Sequence, residues 1–200
     1  MRTFALVALL LATACGKPLL YAEVEIPSAI VTMPQQTFPA TANPAPGDFC
    51  VADPAFPVPA GSSCLQKTIQ YDLGSDFRDL IKKAETLDLR LLQMGIALAT
   101  TDPLQDFTSV VKVRVMAEEI SPALPAVELA YYVRDPAAPP SRTITVATHS
   151  TVNLGPYVQA GFIKLRSEMV FDADIPAFTA DVTGDFYMKV LVDWGKQAGL

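Results

Sequence analysis

The sequence predicts a mainly β protein, in which two antiparallel sheets form a β-sandwich and one short amphipathic helix packs against them. Two observations predict this fold class. Apolar and polar residues alternate with a period of two in several segments, and glycine, proline or aspartate separates those segments at short intervals. A third observation, one segment of helical period, supplies the helix. The same patterns fit an α+β alternative, a half-barrel whose sheet curls around that helix.

Seven segments beyond residue 64 show the alternation of strands. They are Leu65–Leu73, Leu87–Leu98, Val111–Val115, Val127–Val133, Arg142–Val146, Phe162–Val170 and Asp185–Val192. Each has one apolar face, which is typical of antiparallel sheets with one packed side and one wet side. Gly95 interrupts the second segment and predicts a bulge or turn there.

Residues Asp76–Ala84 are predicted to form the amphipathic helix. Ser75 or Asp76 can accept hydrogen bonds from the free amides of the first turn. Apolar side chains then recur at helical spacing, at Phe77, Leu80, Ile81 and Ala84. We expect this stripe to pack on the sheet, because charged residues occupy the opposite side of the helix.

The beginning of the chain has the pattern of an export signal. Arg2 precedes a short apolar run, Phe4–Leu11, and small residues lead from it to Cys15. The run is too short to span a bilayer as a permanent helix. The segment resembles the lipobox of bacterial lipoproteins, although Ala12 stands where leucine is usual. The resemblance implies that residues 1–14 are removed and that Cys15 carries a lipid; the alternative is an ordinary cleaved signal without a lipid.

The number of cysteines agrees with lipidation. The chain has three cysteines, and lipidation of Cys15 leaves Cys50 and Cys64 to form a disulfide in an oxidising compartment such as the periplasm or the cell surface. A bridge that closes a loop of about 15 residues stabilises a fold by about 3 kcal/mol. We expect no thiol metal site, because no further cysteine remains and the single histidine lies far away in sequence.

The chain is predicted to have three parts. Residues 1–14 are the signal peptide, residues 15–63 are the lipidated N-terminus and a proline-rich tether with the disulfide loop, and residues 64–200 are one β-sandwich-like domain. Nine of the seventeen prolines fall between residues 16 and 63, which excludes most helix there and favours a semi-rigid spacer. An alternation within Tyr21–Met33 is compatible with docking of this part on the main sheet.

The charge balance excludes nucleic acid as a partner. The formal net charge is −6, and removal of residues 1–14 takes away Arg2 and no acid. Nucleic-acid binding requires clustered lysine and arginine. The one compact basic cluster in the sequence is Lys82–Lys83, on the outer side of the predicted helix.

No catalytic motif is found in the sequence. Gly61–Cys64 is not a nucleophile elbow, and His149 lies in a polar segment where we expect a solvated loop residue. No cofactor is expected. Four aspartates lie close together in sequence and are weak calcium candidates: Asp172, Asp174, Asp181 and Asp185. Their spacing differs from that of an EF-hand, so solvated turns are the preferred interpretation.

A second resemblance concerns two internal segments. Tyr71–Ile81 and Asp106–Val110 are similar to segments of uncharacterised lipoproteins from Gram-negative bacteria, and this resemblance implies no activity. In such proteins an aspartate after the lipidated cysteine commonly causes retention in the inner membrane. Gly16 and Lys17 depart from that signal, so the resemblance implies anchoring in the outer membrane through acyl chains such as palmitate.

Three functional hypotheses follow from the sequence. The leading one is a membrane-anchored structural or interaction module of the cell envelope that binds an envelope protein and performs no catalysis. The second is a binding protein for an apolar ligand or lipid, held in a cavity between sheet and helix. The third is an envelope hydrolase that uses the acids between residues 172 and 185.

Overall fold

The structure is a computed structural model of the full chain. It describes residues 8–14, 17–33, 35–42, 44–72, 84–99, 102, 105–158 and 162–193. Within these ranges the chain forms ten β-strands and one 3₁₀ turn, and all strand pairs are antiparallel. The protein is therefore mainly β and antiparallel, as the sequence predicts.

The strands have the following bounds. They are β1 (Ala8–Ala14), β2 (Lys17–Thr32), β3 (Gln36–Phe38), β4 (Ser63–Asp72), β5 (Ala84–Leu98), β6 (Val110–Ala117), β7 (Val127–Val133), β8 (Thr143–Thr148), β9 (Phe162–Phe171) and β10 (Phe178–Asp193). The 3₁₀ turn spans Gly155–Tyr157. In β6, β-branched valines favour the extended backbone, and Val113 and Val115 are fully buried.

The strands form one curled sheet, a half-barrel, rather than the two separate sheets of the predicted sandwich. Their order is β1-β2-β10-β5-β8-β7-β6-β9-β4, and β3 pairs with β10. Strand β8 joins two halves of the sheet, because Thr143–Val146 pairs with β5 and Ala147–Thr148 pairs with β7. One half contains β1, β2, β10 and β5, and the other contains β7, β6, β9 and β4. Strands with one apolar face occur both in a sandwich and in a curled sheet, so the alternation alone could not distinguish these two architectures.

The predicted helix lies outside the described residues except for its last residue. That residue, Ala84, is the first residue of β5. Strand β5 then continues without a turn through Gly95, which pairs with Thr183 of β10 and Thr145 of β8. The register shift in this region is opposite Asp185 and Phe186, not at Gly95. A Cβ atom on Gly95 would lie 3.0 Å from Thr183 Oγ1, so glycine allows close packing here rather than a turn.

Part of the predicted tether belongs to the sheet. Strand β2 pairs with β10 from Tyr21 to Thr32, apart from a register shift around Pro27. Proline cannot donate to a ladder, and a bulge accommodates it. Residues 17–32 and 36–38 thus act as strands, consistent with the alternation at 21–33. Strand β1 lies at the end of the sheet and pairs with β2.

The hydrophobic core fills the concave side of the sheet. Phe178 of β10 stacks on Phe38 with ring centroids 4.8 Å apart, and it meets Phe107 and Phe171 edge to face at 6.1 and 6.2 Å. Between β4, β5, β6, β9 and β10 the remaining void is about 10 Å³. Such a void has room for about one water molecule. The described part of the core is therefore closely packed.

Candidate functional site

The predicted disulfide between Cys50 and Cys64 is present. Their Cα atoms are 5.4 Å apart. The Cys50 amide donates to the carbonyl of Cys64 at 3.1 Å, and the Gln66 amide donates to the carbonyl of Asp48 at 2.6 Å. The base of the loop is thus hydrogen-bonded along the edge of β4 as well as covalently closed. We call residues 50–64 the clamp loop.

The clamp loop lies over the outer face of β6. The Phe56 ring centroid is 4.4 Å from Cζ of Arg114 and 6.0 Å from Nζ of Lys112. Lys112 Nζ also donates to the carbonyl of Pro57 at 3.3 Å. Two cations of β6 are therefore covered by an aromatic ring and by loop backbone, which are favourable partners for lysine and arginine.

Beneath the loop, arginines and carboxylates form a buried charge network. Glu168 of β9 is at its centre: Oε2 accepts from Arg114 Nε at 2.7 Å, and Oε1 lies 3.0 Å from Arg166 Nε. Arg114 Nη1 donates to Asp53 Oδ2 of the loop at 2.6 Å, and Arg166 Nη1 lies 3.2 Å from Glu118 Oε1. Only 4% of the Arg114 side chain and 2% of the Glu168 side chain are exposed. Burial of paired charges at this depth requires good hydrogen-bond geometry.

Hydrogen bonds in the network favour the charged forms of Asp53 and Arg114, and they shift the pKa of each group accordingly. A hydrogen bond from the backbone amide of Ala55 and one from Arg114 lower the pKa of the Asp53 carboxyl below its usual value. Burial lowers the pKa of Arg114, but hydrogen bonds to Asp53 and Glu168 outweigh it and raise the pKa overall. Because its charges are paired, we interpret this cluster as a structural anchor for the clamp loop, not as an acid–base site.

Three of the four aspartates proposed as weak calcium candidates accept hydrogen bonds from other side chains. Asp172 Oδ2 accepts from Arg134 Nη2 at 2.6 Å, Asp174 Oδ1 from Thr41 Oγ1 at 3.2 Å, and Asp185 Oδ1 from Ser28 Oγ at 2.7 Å. Asp181 lies in β10 opposite Ala97. Among the described residues, no group of three or more histidine, cysteine, aspartate or glutamate side chains has an arrangement that could hold a metal ion.

His149 lies at the surface beside β7. Its Nε2 atom is 3.0 Å from Oε1 of Glu128, and its ring stacks on Tyr131 with centroids 5.5 Å apart. Tyr131 is 44% exposed, whereas Tyr132 packs against the core. The two tyrosines thus point to opposite faces of the strand, as expected for neighbours in β7.

A cleft opens where β7 and β8 separate, at the end of the hairpin that residues 134–142 connect. These strands pair at two positions, Ala130 with Thr148 and Tyr131 with Ala147. Beyond them they diverge around a cleft of about 420 Å³. Phe107, Tyr132 and Ile144 line it on the core side. We call it the β7/β8 cleft.

Sequence reasoning missed both the buried network and the cleft. The pattern of β6 predicts a wet face for Lys112 and Arg114, yet the clamp loop covers them. One signal was available, since a proline-rich loop without apolar periodicity must pack on some other surface if it is to be ordered. Cys15, the predicted lipid attachment site, lies outside the described residues.

Comparisons with known proteins assign no family. No protein-family model matches the chain, and a comparison with characterised proteins finds no significant sequence match. Within the described ranges, no helix is long and apolar enough to cross a membrane. The functional argument therefore rests on the residues and their geometry.

Proposed function

We propose that this protein is an exported lipoprotein of the cell envelope that acts as an interaction module and performs no catalysis. The observation that carries the proposal is the Cys50–Cys64 bridge, which closes the clamp loop over β6. Stable disulfides of this kind belong to oxidising compartments. The bridge therefore supports export, and the lipobox-like sequence before Cys15 supplies the signal and the anchor.

The anchor would hold the sheet close to the membrane. Removal of residues 1–14 would take away β1 and leave β2 as the end strand of the sheet. Strand β2 begins at Lys17, so Gly16 alone would separate it from Cys15. Each buried methylene of an acyl chain contributes about 0.8 kcal/mol, and more than one chain is needed for stable attachment. The absence of an aspartate after Cys15 favours the outer membrane in this proposal.

An interaction role fits the described surface better than a carrier role. The void between β4, β5, β6, β9 and β10 is about 10 Å³, which is too small for an acyl chain. The cleft between β7 and β8, in contrast, is open. In the order of the strands it lies on one side of β5, whereas β10 and β2, the strand next to the anchor, lie on the other side. We retain the proposal that residues 76–83 form an amphipathic helix against the sheet, on the basis of their periodicity.

The anchor is tested by the Cys15→Ser variant in a Gram-negative host. Metabolic labelling with a palmitate analogue should mark the parent protein and fail to mark Cys15→Ser, which should also lose its membrane association. The matched control is Cys50→Ser/Cys64→Ser, which should keep both label and fractionation because it leaves position 15 intact. Unchanged labelling of Cys15→Ser would overturn the lipid anchor.

Export is tested by the thiol state of the parent protein. Alkylation of the mature protein followed by intact mass measurement should find no free thiol before reduction and two after it, because Cys50 and Cys64 are bridged and Cys15 carries a thioether. Two alkylated thiols before reduction, in protein taken directly from cells, would contradict an oxidising location.

A further inference from the structure

The outer edge of β2 carries a strand of the same chain in the structure. Strand β1, Ala8–Ala14, pairs antiparallel with Lys17–Glu23 of β2 at seven consecutive positions. This edge of the sheet therefore accepts an added antiparallel strand. The proposed function removes β1, because residues 1–14 are the signal peptide in that proposal, and the mature protein would then present the edge uncovered.

Hydrogen bonds to β10 show which residues of β2 point towards this edge. The Met33 amide donates to the carbonyl of Val182 at 2.8 Å, so odd-numbered residues face β10 at that end of β2. The register shift around Pro27 inserts one extra residue in β2 and reverses the parity. From residue 17 to residue 25, the odd-numbered residues therefore direct their amides and carbonyls away from β10 and towards the outer edge.

The part of the edge that β1 covers is a complete template for a strand. Four outward-facing residues lie in it: Lys17, Leu19, Tyr21 and Glu23. Without β1 each of them would lose its ladder partner, and such an edge readily pairs with another chain. Pro18 does not interrupt the template, because its nitrogen lies at an even-numbered position that points the other way. Pro27 and its bulge end it on the far side.

This template is complementary to itself. Two copies can pair antiparallel about a two-fold axis at Leu20, the midpoint of the covered stretch. Lys17 of each copy then lies opposite Glu23 of the other, and Leu19 lies opposite Tyr21 in the same way. All of these residues are odd-numbered, so the outward-facing amides and carbonyls of one copy meet those of the other in hydrogen-bonded pairs.

The charges along the edge also favour a second copy. Glu23 Oε1 lies 3.0 Å from Nζ of Lys189, and 45% of the Glu23 side chain remains exposed. Glu25, the next outward-facing residue, forms a side-chain hydrogen bond with Tyr187. Two carboxylates thus accompany one lysine at this end of the edge, whereas Lys17 supplies a cation at the other end. Opposite charges directly across an antiparallel pair stabilise it.

We propose, on the basis of the proposed removal of residues 1–14, that the mature protein forms a homodimer through β2. Residues Lys17–Glu23 of one copy pair antiparallel with the same residues of a second copy, in the place that β1 takes in the structure. The two copies bury the same surface, so the contact is closed and does not propagate. The inference deepens the proposed interaction role by naming the partner as a second copy of this chain.

Cysteine cross-linking in isolated membranes tests the register. Leu20→Cys places a thiol of each copy at the two-fold axis, in a non-hydrogen-bonded pair whose Cα atoms are about 4.5 Å apart, within reach of a disulfide. A non-reducing gel should show this variant as a dimer that reduction separates. The matched control is Ile30→Cys on the same strand, which is 79% exposed but lies outside the paired stretch and should remain a monomer.

A charge exchange tests the pairing without a cross-link. In mature protein solubilised in mild detergent, Lys17→Glu puts like charges opposite each other twice in each dimer. Analytical ultracentrifugation should show a dissociation constant raised by about tenfold. Lys17→Glu/Glu23→Lys restores opposite charges across the pair and should dimerise more tightly than Lys17→Glu. That recovery would show that the first variant is folded.

Four results would overturn the inference. They are a monomeric parent, no cross-linked dimer of Leu20→Cys, a cross-link of that variant to a different protein, and unchanged dimerisation of Lys17→Glu. Intact mass of the mature protein separates these results from a failure of the proposed anchor. A cleaved and lipidated monomer overturns the dimer alone, and a cleaved dimer without lipid overturns the anchor alone. Retention of residues 1–14 overturns both, because β1 then keeps the edge covered.

Discussion

The buried charge network gives the sharpest test of how the clamp loop is held. Glu168→Gln removes the carboxylate charge that both Arg114 and Arg166 contact, with little change in shape. Only 2% of the Glu168 side chain is exposed, so water cannot replace the lost acceptor. Removal of one partner from a buried ion pair costs about 3 to 5 kcal/mol. The Asp53 contact still pairs Arg114, so we expect a loss of about 3 kcal/mol.

The measurement is urea-induced unfolding of the disulfide-bonded protein, monitored by far-UV circular dichroism. In a thermal scan the same loss corresponds to a fall in Tm of about 6 to 12 °C for a domain of this size. The matched control is Asp172→Asn, the same carboxylate-to-amide change in the exposed pair with Arg134, whose side chains are 40% and 27% accessible. An exposed pair contributes about 0 to 1 kcal/mol, so the control should change stability little.

One result would refute this reasoning. If Glu168→Gln and Asp172→Asn destabilise the protein by the same amount, to within about 0.5 kcal/mol, burial does not set the strength of the network. A further variant separates charge from packing. Arg114→Leu/Glu168→Leu removes both buried charges, and it should be more stable than Glu168→Leu alone, because no buried arginine then lacks its main partner.

Three further outcomes are expected. Cys50→Ser/Cys64→Ser should lower the free energy of unfolding by about 3 kcal/mol and make the clamp loop susceptible to protease, measured by urea unfolding and limited proteolysis; unchanged proteolysis would contradict it. Asp53 has a pKa lowered from 3.8 by hydrogen bonds to its carboxylate, so its contribution is fully present above about pH 4 and is lost as the pH falls through the lowered value; Asp53→Asn should lack this part of the acid dependence in urea titrations between pH 5 and 2, and an identical profile would contradict it. Gly155→Ala should strongly destabilise the protein in thermal scans, because its Cβ would overlap the carbonyl oxygen of Leu87; an unchanged Tm would contradict it.

The strands were predictable where apolar and polar residues alternate without interruption, so that one face of the strand is apolar. Val127–Val133 coincides with β7, and Val111–Val115 lies within β6. Strict alternation identifies such segments because side chains of a strand point to opposite faces. The alternation does not show how strands connect into sheets. The joining of the two halves through β8 depends on a division of its pairing between β5 and β7, and no local pattern encodes that division.

The surface partners of the strands were not predictable from the same pattern. The alternation of β6 correctly places Arg114 on the face opposite Val113 and Val115, but it predicts water there rather than the clamp loop. The missing information is nonlocal, since it concerns a loop about sixty residues earlier in the chain. The disulfide pairing, in contrast, followed from the count of three cysteines once Cys15 was assigned to lipid.

The positions of the clamp loop and the cleft are related through β6 and β7. Beside the cleft, β7 is held by β6, where Val133 pairs with Lys112 and Tyr131 pairs with Arg114. Those two cations are the ones that the clamp loop covers. The opposite wall, β8, is held by β5 and hence by the packed core. The clamp loop and the charge network therefore cover the outer face of β6, the strand that pairs with β7, while the core packs against the inner face of β6.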